Sequence, residues 1–166
     1  MKFTIKKKGE LKIVGKKVED IDIFSRDEIV VRWDEIGFDE YPILEWKNCS
    51  LYFGLISDFR KKSTYFFAKP ISEIPFTLKG DFVSEIIPSI EYAVFKHKGS
   101  SIKVIETYEL IENKLMENGL TKHPNLPYIE LFDKKQNHTW NHELLEFEIY
   151  VPVLNDYNIQ NKTIDC

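Results

Sequence analysis

The chain has 166 residues, a formal net charge of −4 and a hydrophobic fraction of 43%, and 14% of its residues are aromatic. A chain of this length and composition buries a sizeable core, so we expect one domain. The acidic balance argues against a general nucleic-acid-binding protein, which normally has a basic surface. No apolar run approaches the ~20 residues of a membrane-spanning helix, and the amino terminus lacks a signal-peptide core. We therefore expect a cytoplasmic protein that binds neither membranes nor nucleic acids directly.

The histidines and cysteines give little indication of a metal site. Cys49 and Cys166 are the only cysteines, and their spacing fits neither a metal site nor a redox pair. His138 and His142 are four residues apart, a spacing that binds metals when it lies on a helix. Because polar Gln, Asn and Lys residues surround them, we prefer a solvated loop tip. Phosphate-loop, dinucleotide and hydrolase motifs are absent from the sequence, so we expect no metal and no cofactor.

The first half of the chain predicts a strand, a helix and a hairpin. Apolar and polar residues alternate over 11–18, which is typical of a half-buried strand. Aromatic or β-branched runs at 51–56 and 64–68 predict the hairpin. Between the first strand and the hairpin, a helix is predicted by a capping residue, three apolar residues at helical spacing and a glycine stop. These residues are Ser25, Ile29, Trp33, Ile36 and Gly37.

The second half repeats this pattern more clearly. A strand is predicted over 92–97, and Gly119 closes a helix that covers about 101–118. Two further strands, at 127–132 and 144–153, form the second hairpin. The helix has one apolar face, and its members are Val104, Tyr108, Ile111 and Leu115.

Two strand-helix-strand-strand units in one chain predict an α+β domain with two helices on a largely antiparallel sheet. The domain covers 1–154, with the units at about 1–71 and 82–153, and residues 72–91 connect them. Residues 155–166 have no apolar periodicity, so they predict a polar tail whose removal leaves the melting temperature almost unchanged.

Three segments carry a recognisable order and spacing: Tyr92-Ala93-Val94-Phe95 ending in His97-x-Gly99, Pro127-x-x-Glu130, and Glu148-Ile149-Tyr150-Val151-Pro152-Val153. Together they resemble the gyrase-inhibitor-like family, also called the effector-binding domain of bacterial transcription activators. The match covers about 82–153. It is weaker over 10–71, where Val14-Gly15 and Tyr52-Phe53-Gly54-Leu55 fit the family's first half. The resemblance implies a pseudo-twofold arrangement of the two units, with a ligand groove between the halves.

Glu130 is the main candidate site residue. Alternation along a strand puts Tyr128, Glu130 and Phe132 on one face and Ile129 and Leu131 on the other. The second pair suits a helix-covered core, so we expect the Glu130 face to be solvent or a pocket. A carboxylate in an apolar sheet is costly unless a cation or a hydrogen-bond donor meets it. The alternative is an exposed strand residue paired with a lysine, and Glu130→Gln is expected to leave folding unharmed.

The last strand repeats this combination, because Glu148 and Tyr150 share one of its faces. The resemblance implies that the ligand occupies the open face and that Glu130 contacts it, with Tyr128 and Tyr150 as ring partners. A partly desolvated carboxylate among rings attracts flat apolar cations, to which each ring adds ~0.5–2 kcal/mol. Further candidates for the pocket lining are Phe132, Glu148, Trp33, Trp46, Tyr52 and Tyr65.

Three functions fit this site. The first is a small-molecule-binding module. We expect it to have no DNA-binding domain of its own, because the first strand begins near residue 3 or 11 and leaves no room for one before it. It acts by sequestering a ligand or through a partner protein, as a monomer or a dimer. The second, implied by the resemblance, is a hydrolase of strained, cyclopropane-type genotoxic compounds that uses Glu130 and Tyr150. The third is a protein that binds and inhibits DNA gyrase.

Overall fold

The computed structural model describes residues 1–38, 50–133 and 143–155. Trp46, the histidine pair at 138 and 142, both cysteines and the tail beyond 155 lie outside these ranges. In chain order the elements are β1 (Thr4–Lys8), β2 (Leu11–Ile21), α1 (Arg26–Glu35), β3 (Leu51–Ile56), β4 (Ser63–Pro70), β5 (Val83–Ile87), β6 (Ile90–Gly99), a 3₁₀ helix (Ser101–Lys103), α2 (Val104–Glu117), β7 (Leu120–Lys122), β8 (Tyr128–Asp133) and β9 (Leu145–Asn155).

The strands form one antiparallel sheet with the order β1-β6-β9-β8-β3-β4-β2-β5, and β7 pairs with β9 beside this path. The two predicted hairpins are β3-β4 and β8-β9. They join at the centre of the sheet, where β3 pairs with β8 and Gly54 lies opposite Glu130. The predicted α+β class and the two strand-helix-strand-strand units are confirmed. Two strands were not expected: β5 lies inside the segment 72–91 that the sequence assigned to a connection, and β7 lies between the second helix and the second hairpin.

The sheet is curled, because short connections bring its two edges together. Only two residues separate β1 from β2, and only two separate β5 from β6, although these strands lie towards opposite ends of the strand order. Ile13 and Ile87 from one edge therefore pack in the same apolar cluster as Tyr92 and Val94 from the other. The curl buries a second core without the help of a helix.

Helix α1 buries the residues that its periodicity predicted. Ile29 and Trp33 are 2% and 6% exposed, and Gly37 follows with a φ of 74°, the left-handed conformation that ends many helices. The predicted capping role of Ser25 is wrong, because its side chain makes no capping hydrogen bond. Its backbone N–H instead donates to the carbonyl of Asp22 at 2.9 Å, so a preceding turn positions the helix.

Helix α2 also presents the predicted face to the sheet. Val104, Tyr108 and Ile111 are fully buried and Leu115 is 4% exposed. Gly119 follows the helix with a φ of 64°, which confirms the predicted end. Within the described ranges, no helix is long and apolar enough to cross a membrane.

Both helices pack on one face of the sheet, as predicted, but this face is the one that carries Glu130. The helix-covered face contains Tyr65, Phe67, Tyr128, Glu130, Phe132, Phe147 and Ile149. The opposite face contains Phe53, Leu55, Phe66, Ile129, Leu131 and Tyr150. The expected assignment of faces is therefore wrong. Alternation separated the two sets of residues correctly, but both sets are apolar enough for a core, and the curl buries the second one.

Candidate functional site

Glu130 lies at the centre of a buried polar cluster. The guanidinium of Arg26 binds its carboxylate with two hydrogen bonds, from Nη1 to Oε2 at 2.8 Å and from Nη2 to Oε1 at 2.6 Å. The hydroxyl of Tyr65 donates to Oε2 at 2.8 Å, and the hydroxyl of Tyr108 donates to Oε1 at 2.9 Å. Glu130 thus accepts four hydrogen bonds, two on each oxygen.

Each partner of Glu130 comes from a different element. Arg26 is the first residue of α1, Tyr65 lies on β4, and Tyr108 lies on the buried face of α2. The hydroxyl of Tyr65 reaches across β3 because residue 54 is a glycine, and a Cβ at Gly54 would lie 1.8 Å from that hydroxyl oxygen. The cluster therefore joins both helices to the central strands, with the carboxylate at the middle of the sheet.

The cluster is sealed from solvent, and its electrostatics follow from that burial. The side chains of Arg26 and Glu130 are 3% and 0% exposed. Burial by itself lowers the pKa of Arg26, but the charge and hydrogen bonds of Glu130 outweigh it and raise this pKa above its ordinary value. Burial and the charge of Glu130 raise the pKa values of Tyr65 and Tyr108 well above the usual range. Both hydroxyls are therefore protonated donors near neutral pH.

Aromatic rings surround the ion pair. The Arg26 guanidinium carbon lies 5.4 Å from the centre of the Phe147 ring, a cation–π distance. Phe132 stacks on Phe147 with the ring centres 4.7 Å apart. On the α2 side, the rings of Tyr108 and Tyr128 meet edge to face at 5.4 Å. The carboxylate therefore lies in an apolar, ring-lined environment, where charge interactions are stronger than at a surface.

His97 lies beside the cluster, its ring 5.2 Å from that of Phe147. The Thr107 hydroxyl donates to the carbonyl of Lys103 at 3.2 Å, so it accepts a hydrogen bond from His97 Nδ1 at 2.8 Å. A neutral imidazole has one N–H, so Nε2 carries a lone pair, and that atom has no hydrogen-bond partner in the described part of the chain. Burial, followed by the charge of Arg26, lowers the pKa of His97.

Most of the predicted site residues meet on the helix-covered face. Tyr65 contacts Glu130 directly, and Tyr128 and Phe132 flank it on β8. Trp33 packs edge to face with Phe67 at 4.9 Å and with Tyr52 at 5.1 Å, so both predicted rings lie within the same core.

Tyr150 and Glu148 lie on the opposite face of the sheet from Glu130. Tyr150 belongs to the apolar cluster of the opposite face. Its hydroxyl donates to Glu148 at 2.6 Å, and Lys8 lies 4.1 Å from its ring centre. The expected pairing of Tyr150 with Glu130 is therefore wrong, because successive residues of β8 and β9 point to opposite sides of the sheet.

Arg26 is the site residue that the sequence interpretation missed, and a signal for it was present. Arg26, Ile29 and Trp33 follow the three- and four-residue spacing of one helix face, so an arginine lies on an otherwise apolar stripe. Its place in the first turn is also unusual, because the positive end of the helix dipole disfavours a cation there. A buried carboxylate elsewhere in the fold explains both features.

The carboxylate of Glu130 is fully engaged by its partners in this structure. Both oxygens of Glu130 accept hydrogen bonds, so the carboxylate has no oxygen unengaged for use as a base. In the ranges 1–38, 50–133 and 143–155, no group of three or more His, Cys, Asp or Glu side chains could hold a metal ion. The cluster is therefore a ring-lined carboxylate whose cationic partner is Arg26.

Comparison with known proteins identifies the family of this chain. A family model described as integron-associated effector binding protein matches residues 4–153. No curated protein is similar enough in sequence to match. The fold resembles the crystal structure of the EcmrR C-terminal domain, with a TM-score of 0.72 and 19% identity over 93% of this chain and 98% of that one.

Two further solved structures share the fold. EcmrR in its cryo-EM complex with DNA has a TM-score of 0.74 at 18% identity over 93% of this chain. The match covers 57% of the EcmrR chain, so the present chain spans little more than half of that relative's length. SAV2435 bound to tetraphenylphosphonium has a TM-score of 0.66 at 17% identity, and the match covers 97% of this chain and 99% of that chain.

Proposed function

Because the chain belongs to the family of integron-associated effector-binding proteins, we propose that it binds a small organic cation at Glu130. The observation that carries this proposal is the buried carboxylate, which receives donors from both helices and from β4. A buried ion pair is weak evidence for a purely structural role, because well-packed apolar residues in its place are often neutral or stabilising. A charge kept at the centre of an apolar core is better explained by recognition.

The solved neighbours support the same class of ligand. SAV2435, which shares the fold, has a structure with bound tetraphenylphosphonium, a cation that carries four phenyl rings. Here the Glu130 carboxylate has ring partners on both sides, with Phe147 near Arg26 and Tyr128 near Tyr108. Charge attraction at Glu130 and contacts with these rings together favour an aromatic cation over a neutral compound of the same shape.

Binding requires a local opening of the structure. Glu130, Tyr65 and Tyr108 are fully buried and Arg26 is 4% exposed, so a ligand reaches the carboxylate only when some of these groups move. Arg26 is the natural group to leave, because it is the first residue of α1, whereas Tyr65 and Tyr108 lie inside β4 and α2. The bound ligand then takes over the hydrogen bonds or the charge interaction that Arg26 supplied.

A thermal-shift screen with tetraphenylphosphonium and with neutral triphenylphosphine oxide tests the proposal. A ligand that binds only the folded state raises its stability by RT ln(1 + [L]/Kd), about 2.7 kcal/mol at 100 times Kd. We expect the cation to stabilise the protein strongly, and the neutral compound to stabilise it much less.

Two variants complete the screen. Glu130→Gln should lose the selective response to the cation. Glu148→Gln is the matched control, because Glu148 also accepts a tyrosine hydroxyl but lies with Tyr150 on the opposite face; its response should equal that of the unmodified protein. Equal stabilisation by cation and neutral compound, or an unchanged response in Glu130→Gln, would contradict the proposal. Turnover of a cyclopropane-type genotoxic compound, followed by loss of its chromophore, would favour the hydrolase hypothesis instead.

A further inference from the structure

Arg26 occupies the Glu130 site in the manner of a bound ligand. Its planar guanidinium makes two parallel hydrogen bonds to the carboxylate at 2.8 and 2.6 Å. The carbon Cζ of this headgroup lies 5.4 Å from the ring centre of Phe147. The geometry in the closed structure therefore shows which headgroup the cluster accommodates: a flat cation with two N–H donors on one edge.

The position of Arg26 is unfavourable for the stability of the closed structure in two respects. A cation in the first turn opposes the helix dipole, and the buried Nε of Arg26 has no hydrogen-bond partner among the described residues. An unmet buried donor costs stability. These two features are expected of a group that competes for the site and is able to leave it.

The acceptor atoms of the cluster discriminate between kinds of cation. A guanidinium or amidinium donates two hydrogen bonds to the two oxygens of a carboxylate, whereas a quaternary ammonium has no N–H to donate. His97 adds an acceptor beside the site, because its Nε2 lone pair has no partner within the described ranges. Its ring packs on Phe147, the same ring that Arg26 faces. A ligand with additional N–H groups can use this acceptor.

On the premise that Glu130 is the ligand-binding carboxylate proposed above, we infer that among cations the site prefers those that carry a planar amidinium or guanidinium group on an aromatic body. Arg26 is a tethered competitor for the same place. A tethered group acts at a high effective concentration, and the apparent affinity of every free ligand is its intrinsic affinity multiplied by the fraction of time that Arg26 leaves the site free. Among cations of similar size, those with the same pair of parallel N–H donors, the fork of Arg26, displace it most efficiently.

Two small cations with the same ring and charge test this inference. Benzamidine has the amidinium fork, and phenyltrimethylammonium has a cationic group without N–H donors. We expect calorimetric titration to show that Arg26→Met binds benzamidine at least tenfold more tightly than the unmodified protein does. In Arg26→Met, benzamidine should also bind at least tenfold more tightly than phenyltrimethylammonium. The double variant Arg26→Met/Glu130→Gln, which carries neither buried charge, should bind neither cation measurably.

Equal affinities of Arg26→Met for the two cations would overturn the ligand class. Equal affinities of Arg26→Met and the unmodified protein for benzamidine would overturn the role of Arg26 as a competitor. If Arg26→Met does not fold, the two cations are compared on the unmodified protein and on Arg26→Lys, which keeps the charge but not the fork. The same tenfold preference is then required, with tighter benzamidine binding in Arg26→Lys than in the unmodified protein.

The outcomes separate this inference from the proposed function. Glu130-dependent binding of tetraphenylphosphonium, with no preference between the two small cations, would overturn the inference and leave the proposed function standing. If neither tetraphenylphosphonium nor either small cation binds the unmodified protein or Arg26→Met, both are overturned.

Discussion

Glu130 and Arg26 form an ion pair that is almost completely buried, so each charge depends on the other. This changes one expectation from the sequence, namely that Glu130→Gln leaves folding unharmed. Removing one partner of a buried pair leaves the other charge uncompensated, which costs about 3–5 kcal/mol. We therefore expect urea denaturation to show a loss of about that size for Glu130→Gln and for Arg26→Met.

The double variant provides the control for this prediction. Arg26→Met/Glu130→Gln removes both charges, so its loss of unfolding free energy should be much smaller than the sum of the two single losses. Additive losses would show that the two side chains stabilise the fold independently, in conflict with the observed contacts.

Gly54 makes the contact between Tyr65 and Glu130 possible. A methyl group at position 54 would lie 1.8 Å from the Tyr65 hydroxyl oxygen and 2.3 Å from its ring carbon Cζ. Gly54→Ala should therefore displace the ring and cost roughly 1–3 kcal/mol, the usual effect of overpacking. Gly9→Ala is the matched control, because nothing lies within 4 Å of a Cβ there. Equal thermal stability of the two variants would show that the Tyr65 ring is not held as described.

His97 should make stability depend on pH in mildly acidic solution. Its pKa is lowered in the folded state, so the unfolded chain, with an ordinary value of about 6.5, takes up the proton first as the pH falls. The contribution of neutral His97 is complete above about pH 6.5 and decreases below it, by at most ~1.4 kcal/mol per pH unit. His97→Gln should lose less unfolding free energy than the unmodified protein between pH 6.5 and 5. Parallel losses would contradict a buried neutral His97.

At the scale of elements, the helices were predictable because their periodicity is strong and their ends carry glycines. All four residues predicted for the buried face of α2 are buried, and Thr107 lies among them. Leu115→Ala should cost roughly 2–5 kcal/mol, because it removes a buried side chain from that face. Met116→Ala is the control, since Met116 is 73% exposed, and its effect should stay within about 0.5 kcal/mol. Similar losses in the two variants would mean that the packed face is misassigned.

The strands of the two hairpins were located correctly, but their faces were not predictable from one sequence. Residues on both sides of β8 are apolar, and alternation cannot say which side receives the helices. Tyr128 and Phe132 face the helices, whereas Ile129 lies in the core formed by the curl. Which face receives the helices depends on how strands that are far apart in sequence pair and curl into one sheet. For the same reason Arg26, which is 104 residues from Glu130, could be suspected as an anomaly on α1 but not assigned a partner.

At the scale of the whole molecule, the two units build one site together. Arg26 and Tyr65 come from the first unit, and Tyr108 and Glu130 from the second. The resemblance pointed to the Pro-x-x-Glu segment and therefore to Glu130, whereas the polar partners became visible only when the units were placed against each other. The boundary expected at 154 falls one residue before the end of β9, and a dispensable tail beyond it stays a prediction.

The central claim is that Glu130 recognises charge in a ligand, and calorimetric titration with tetraphenylphosphonium tests it most directly. Glu130→Gln, measured at a temperature where circular dichroism shows it folded, should bind this cation about 1–3 kcal/mol more weakly than the unmodified protein. Glu148→Gln should bind it with unchanged affinity, and neutral triphenylphosphine oxide should not distinguish the three proteins. If Glu130→Gln and the unmodified protein bind tetraphenylphosphonium equally well, Glu130 is a structural residue and the proposed site is wrong.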